Sequence, residues 1–341
     1  MGTLVKIIAE DAQKIIDRIS LDEIVGKTIV ITGASGLIGT YLLATLHSFL
    51  TSQSKQTNIY ALVQSDVSEH TRYFLNYAGA KILQGDLTDQ NFLAKLPKAD
   101  YIIHAAGYGQ PGKFMENQIK TIELNTTATL ALFEKLLPGG KFLFMSTSEV
   151  YSGLRNPPFN EQQIGTTNTT HPRSCYIEGK RCGETIVNAF RAKGVDAKSA
   201  RLSLAYGPGT KSGDKRVINN FIYKALQGKI DLLDQGEAKR TYCYVADAVE
   251  ILWHILLSGK EPIYNVGGES KTTIAELAKS VGTIVGAPVT FPNNSDNTVA
   301  GAPDDVFLDM SLVQREFGKK DFLPLDIGLK KTIEWQRALC R

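Results

Sequence analysis

From residue 27 onward, short and nearly all-apolar runs alternate with stretches of helical period, and no other feature of the chain restricts its fold so strongly. The runs are KTIVIT, NIYALV, AKILQG, YIIHAA, KFLFMS and AKSARLSL, with helical patterns at 37–50, in the 90s, at 122–137 and at 175–193. Apolar side chains at successive positions suit strands buried on both faces, and strands alternating with helices join as parallel neighbours. The expected fold is α/β, a doubly wound parallel sheet covered by helices on both faces. Pro138, Gly139 and Gly140 are expected to end one helix before the strand at 141, and Gly194 another before the strand near 197.

After about residue 205 the rhythm loosens into a Gly207-Pro208-Gly209 turn, loops at 209–215 and 291–305, and helices near 216–227, 245–258, 272–285 and 325–339. The chain then reads as an N-terminal helical extension at 1–26, a dinucleotide-binding domain at 27–205 and, mainly, a smaller substrate domain at 206–341. Segments near 240–266, with the helix at 245–258 and the strand IYNVGG, are expected to return to the first domain, so the two interleave. Residues 4–25 read as an amphipathic helix with Leu4, Ile7, Ile8, Ile15, Ile16 and Ile19 on one face, either packed on the body or kept for a partner.

Composition enters as exclusion. A hydrophobic share of 43% supports a large core, and a net charge of +3 with both signs interspersed argues against nucleic acid or an anionic membrane as partner. No stretch approaches the roughly 20 apolar residues of a membrane span, and Lys6, Glu10, Asp11, Lys14 and Asp17 interrupt any signal-peptide core. Cys175, Cys182, Cys243 and Cys340 lack paired spacing and do not cluster with histidines, so neither a metal nor a disulfide is expected. The cysteines read as reduced, which fits the cytoplasm.

Gly33, Gly36 and Gly39 follow the first strand and open a helix. Residues without a Cβ let the backbone approach a pyrophosphate, and the helix start supplies free N–H groups. Gly33, Ser35, Gly36, Leu37, Ile38 and Gly39 are therefore candidate dinucleotide contacts, which makes the sheet Rossmann-type. The same glycines without a ligand would make a tight packing turn. The second strand ends in Gln64 and Ser65, with Asp66 two residues late for a ribose carboxylate and no arginine beside it for a 2′-phosphate. NAD is thus preferred, with NADP as the other possibility. Asp86, Leu87, Ala105, Ala106 and Gly107 are candidate walls of the same site, or turn chemistry.

Tyr176 and Lys180 stand four apart on a helical pattern and share a face. An ammonium beside a phenol favours the phenolate, and the positive charge of a nearby nicotinamide would do the same, bringing a pKa of about 10 closer to neutrality. Ser146, Thr147, Ser148 and Glu149 follow a strand directly, where a parallel sheet presents its ligand-binding edge. Taken singly, each element is also ordinary surface chemistry.

In this order, TGASGLIG, GDLTD, HAAG, Asn125, STSEVY, Y-I-E-G-K, RLSLAYGPG, RVINNF, R-T-Y-C-Y-V-A-D and YNVGG resemble the extended short-chain dehydrogenase/reductases of nucleotide-sugar metabolism, the epimerase/dehydratase family. The resemblance covers about residues 27–340. It implies Thr147 as hydroxyl partner, Tyr176 as base, Lys180 as its electrostatic partner and Glu149 as a further catalytic group. It implies Asn125, Tyr176 and Lys180 toward the cofactor, and Ser148, Arg216, Asn220 and Arg240 toward a nucleotide-diphosphate sugar. A homodimer is also implied. The shared chemistry is oxidation at sugar C4 by NAD⁺ to a 4-ketone. STSEVY and PRSCY look most like UDP-glucuronate decarboxylases, and S-T-S-E also like GDP-mannose 4,6-dehydratases. Two departures stand against this: Val306 falls where decarboxylases carry an arginine, and Leu204-Ala205-Tyr206 lacks the usual asparagine. The expected reaction is 4,6-dehydration or decarboxylation, with 4-epimerisation as the alternative and a non-catalytic NAD(P)-binding regulator as the reading from another class.

Overall fold

The computed structural model describes residues 2–53, 56–292 and 305–339, so Cys340 and positions 293–304 of the loop expected at 291–305 lie outside the described residues. Seven parallel strands form the central sheet: β1 (Thr28–Thr32), β2 (Asn58–Val63), β3 (Lys81–Gln84), β4 (Ala99–His104), β5 (Leu136–Thr147), β6 (Asp196–Leu202) and a last strand at Ile263–Val266. Their order across the sheet runs from that last strand through β6, β5, β4, β1 and β2 to β3. From β1 the chain winds outward through β2 and β3, then returns to β4 on the other side and winds the opposite way. The switch lies between β1 and β4, where such sheets hold their ligands beyond the carboxyl ends of the strands.

Alternation along β1 divides the core in two. Ile29 and Ile31 face a cluster that contains Leu42 and Leu46 of α2 (Leu37–Gln53), while Val30 faces a second cluster with Ile102, Phe142, Phe144 and Val187. All of these are buried, which is why the strand sequences read as unbroken apolar runs.

Preceding β1, α1 (Thr3–Ile16) packs on α2 with Ile8, Ala12 and Ile15 buried. The helix stops at Ile16 instead of running to 25; a turn of 3-10 helix at Asp22–Ile24 then places Leu21 and Ile24 in the same core. Asp11, itself buried, accepts hydrogen bonds from Tyr41 at 3.1 Å and Tyr244 at 2.5 Å and pairs with Lys331, tying α1 to three distant parts of the chain.

Along the chain between β2 and β6 come α3 (Glu69–Tyr77), which packs on α2 in the first core, and α4 (Gln90–Ala94), α5 (Pro111–Glu116), α6 (Gln118–Asn125), α7 (Thr127–Phe133) and α8 (Ser174–Arg191). The helix expected at 122–137 is thus two helices broken at Thr126. Asn125 and Thr126 each hydrogen-bond a carbonyl of the preceding turn, at 2.7 and 2.8 Å, and such back-bonding bends or ends a helix. Residues 136–140, expected to finish that helix and the turn after it, form the start of β5; its register against β4 shifts between Ala99 and Tyr101, and Gly139 takes a φ of 76° that other residues resist.

Beyond β6 come β7 (Leu204–Tyr206), α9 (Val217–Leu226), β8 (Ile230–Asp231), β9 (Lys239–Arg240), β10 (Tyr242–Tyr244), α10 (Val245–Ser258) and β11, the Ile263–Val266 strand. They are followed by β12 (Thr272–Thr273), α11 (Ile274–Val285), β13 (Val289–Thr290), β14 (Asp305–Val306), α12 (Ser311–Phe317) and α13 (Leu325–Leu339). A third core joins α9, α11 and α13 through Phe221, Ile222, Leu277, Val281, Leu329 and Ile333. Strand β11 and α10 belong to the central sheet and its first core instead. No helix among the described residues is long and apolar enough to cross a membrane.

Candidate active site

At the switch point the turn Gly33–Gly36 leads from β1 into α2. A Cβ at Gly33 would lie 2.6 Å from the Ala105 carbonyl oxygen, and one at Gly39 would lie 2.5 Å from that of Gly33. Those two glycines are therefore demanded by packing. Gly36 differs: it is exposed, and within 4 Å a Cβ there would meet only the Gly33 carbonyl oxygen, at 3.2 Å. Above it is open space at the start of α2, where Leu37 and Ile38 are half-buried and the first N–H groups have no partner in their own helix. The residues fit a pyrophosphate there, with Ser35 beside the turn.

The facing wall is held by a relay. Nε2 of His104 lies 2.9 Å from the Leu124 carbonyl, which only accepts, so Nε2 carries the proton; Thr32 then donates to Nδ1 at 2.8 Å. The Thr32 oxygen in turn accepts from the Ala106 N–H at 3.0 Å, fixing the Ala105–Gly107 turn. Burial pushes His104 down to about 3, keeping it neutral. A Cβ at Gly107 would lie 3.6 Å from Lys180 Nζ, so this turn also reaches α8.

At the expected adenosine end, Asp86 accepts from the Thr88 N–H at 2.9 Å and pairs with Lys120 of α6, a cation not foreseen from sequence. Burial works against the Asp86 charge, but Lys120 and Thr88 hold the carboxyl below its usual range. Leu87 is buried in the second core, and Gln64, Ser65 and Asp66 are exposed beyond β2. Asn125 is buried under α8; its amide nitrogen is bonded, while its oxygen has no partner among the described residues.

Thr147 ends β5, and Ser148–Tyr151 continue as a 3-10 turn. The Glu149 N–H donates to Thr147 Oγ at 3.3 Å, which leaves the threonine proton able to turn toward Tyr176, whose ionised form it favours. Lys180 is buried and donates to the Met145 carbonyl at 2.6 Å, with its ammonium 5.9 Å from the centre of the Tyr176 ring. The expectation that Lys180 brings the phenol toward neutrality is not met in the protein alone. Burial, and then the Glu149 charge, push Tyr176 up to about 12, against the Thr147 hydrogen bond; burial pushes Lys180 down to about 7. Desolvation outweighs the pair in a site this dry.

Glu149 is gripped by Arg173, with Nε 2.9 Å from one carboxylate oxygen and Nη2 on the other. The guanidinium lies 5.5 Å over the Phe114 ring, and Phe114 stacks flat on Tyr176 at 4.5 Å. Arg173 and Phe114 went unassigned in the sequence; the one signal was Arg173 inside PRSCY.

The expected substrate residues divide. Ser148 is buried next to Glu149. Arg216 is chelated by Asp214, with contacts of 2.7 and 3.0 Å, and Asn220 is half-buried one turn further along α9. Arg240 acts electrostatically on Glu149 and pairs in register with Val306 of β14, so the departure at position 306 sits beside the arginine expected to meet the diphosphate.

The model of the NAD dependent epimerase/dehydratase family matches residues 29–267. UDP-glucuronic acid decarboxylase 1 of Xenopus tropicalis is 29% identical over 318 residues, covering 91% of this chain and 72% of that protein. The chain superposes on UDP-glucose 4-epimerase from Thermotoga maritima, crystallised with UDP-glucose, with a TM-score of 0.77 at 24% identity, covering 92% of this chain and all of the other. A dTDP-glucose 4,6-dehydratase from Streptomyces venezuelae with NAD bound gives 0.77 at 22%, covering 91% and 97% of the two chains. Both structural likenesses bear on the fold; the family match spans most of the sequence, and on that ground the chain belongs to the NAD dependent epimerase/dehydratase family.

Proposed function

We propose that the protein is an NAD-dependent enzyme that oxidises C4 of a nucleotide-diphosphate sugar and then acts at C5 and C6, as a decarboxylase or a 4,6-dehydratase. The observation that carries this reading is Glu149, a half-buried carboxylate close to Thr147 and Tyr176, where simple C4 epimerisation has no use for one. NAD, when bound, accepts the C4 hydride and later returns it. Tyr176 takes the C4 hydroxyl proton, Thr147 holds the hydroxyl, and Lys180 stabilises the phenolate. In dehydration Glu149 takes the C5 proton and passes it to the departing C6 hydroxyl, which leaves as water; C6 of the resulting enone then receives the hydride and C5 a proton. In decarboxylation the C5–C6 bond breaks, carbon dioxide leaves, and a proton enters at C5.

The sequence relatives favour decarboxylation of a uronate. Val306 favours dehydration, because position 306 itself supplies no cation for a sugar carboxylate, and Arg240 beside it is the residue expected at the diphosphate. Incubation with UDP-glucuronate and with UDP-, dTDP- and GDP-hexoses, followed by product mass, separates the two as loss of carbon dioxide or of water. A product of unchanged mass, inverted at C4, would sink both and leave the epimerase.

We also propose a cytoplasmic homodimer. Cys182 is an exposed free thiol, suited to a reducing compartment. Ile119 is 70% exposed, and with Met115, Ile122 and Leu130 it makes an outer apolar stripe along α5–α7. Beside it α8 presents the exposed Cys182, Thr185 and Ala189. Small residues next to large apolar ones let helices of two copies approach closely.

A further inference from the structure

The cation on Glu149 comes from the residue that opens α8, three positions before Tyr176. We propose that Arg173 is a positioning residue for Glu149: its guanidinium fixes the carboxylate in place and keeps it available as a base for the step at C5. This rests on the dehydration reading of Glu149 given above, in which it takes the C5 proton, and adds the group that makes it serviceable.

The geometry is specific. A planar fork meets both carboxylate oxygens, the arrangement that lysine cannot reproduce. Both side chains are largely withdrawn from water, at 13% and 19% exposure, so the pair is weakly screened. The orientation of Arg173 is set independently by Phe114, whose ring lies under the guanidinium and against Tyr176 at an interplanar angle of 2°. A carboxylate has about four lone-pair sites, so two bonds to Arg173 leave room for a substrate proton.

The charged and titratable groups around Glu149 are Arg173 and His171 before α8, Tyr176 within it and Arg240 on β9. Burial drives the Glu149 carboxyl upward, and Arg173 is the foremost of the groups that oppose it, ahead of Arg240 and His171. Without Arg173, burial meets only the two weaker partners, and the group takes up a proton at a pH where it must act as a base.

The test compares wild type, Arg173→Gln and Arg173→Lys as NAD-loaded enzymes. Infrared difference spectra against Glu149→Gln read the carboxyl protonation of Glu149 across pH without substrate. Entry of solvent deuterium at C5 reads the step on dTDP-glucose, and single-turnover absorbance of reduced nicotinamide reads C4 oxidation. Arg173→Gln is expected to move the infrared titration, and the acid limb of C5 exchange with it, upward by roughly one to three pH units. C4 oxidation should stay within about threefold of wild type. Arg173→Lys, with the charge but not the fork, should fall between, and it carries the test if the glutamine variant does not fold. An unmoved infrared titration, or C4 oxidation lost in step with C5 exchange, would overturn the proposal. The expected infrared shift in an enzyme with no C5 exchange would uphold the clamp and overturn the dehydration reading alone.

Discussion

A phenol pushed up to about 12 and a lysine pushed down to about 7 make a resting pair in which neither partner favours its charged form as it does in water. The reactive state needs the positive charge of the cofactor and a substrate hydroxyl, so proton removal is tied to a filled site. Tyr176→Phe is expected to keep fold and NAD affinity while kcat drops by roughly 10² to 10⁴, and Thr147→Ala to lose less, in steady-state assays on the true substrate. A phenylalanine variant near the wild-type rate would remove Tyr176 from the base role. Lys180 also has a signature in stability. Below about pH 7 the folded protein buries an ammonium; above the ordinary lysine value of 10.5 both folded and unfolded chains hold the amine neutral. The cost of that ammonium is thus complete at low pH and fades as pH rises between those values. Thermal unfolding without cofactor should show Lys180→Met gaining most over wild type below about pH 7, and the gain vanishing toward 10.5. A difference independent of pH would mean the lysine is not desolvated. The Tyr-Lys spacing was legible because a helix dictates it. The Arg173–Glu149 pair was not, since it joins a strand end to the start of a helix 24 positions later, and nothing local says which cation will turn inward.

At the scale of elements, the three glycines of one motif do different things. Gly33 and Gly39 let the turn pack against the Ala105 carbonyl and its own first residues, whereas Gly36 faces open space. A spacing pattern cannot make that distinction; the position of β4 makes it. Gly36→Val should therefore fold normally and lose NAD binding in calorimetry, while the same change at Gly39 should lower the melting temperature before binding is considered. Unchanged NAD affinity in folded Gly36→Val would displace the pyrophosphate from this turn. The strands and their parallel pairing were legible from the apolar runs, because such runs suit strands buried on both faces, whereas their order across the sheet was not. Helix ends were less so: Thr126 looks like any helical threonine until its hydroxyl bonds the Ile122 carbonyl, and Pro138 to Gly140 look like a loop until Leu136 pairs with Ala99.

In the whole molecule, α8 is held from one side and bare on the other. Inward, Gly183 presses on β5 so closely that a Cβ would lie 2.3 Å from the Phe144 ring, and this contact sets the height of Tyr176 and Lys180 over the strand end. Outward, Cys182, Thr185 and Ala189 meet solvent beside the apolar stripe of α5–α7. An isolated chain leaves Ile119, Ile122 and Leu130 in water, and pairing of this face with its own copy about a two-fold axis removes them together, at roughly 25 cal/mol per Å² of apolar surface. The paired helices would then brace the catalytic helix from behind. Ile119→Glu combined with Leu130→Glu puts like charges into the contact without touching any of the three cores, so the monomer should stay folded. Light scattering across micromolar concentrations should give a dimer for wild type and a monomer for the double variant. The same variant should lose activity together with its dimer, and regain part of it at high concentration. A wild-type enzyme that is monomeric and fully active at the lowest concentrations assayed would show that α8 needs no support from a second copy.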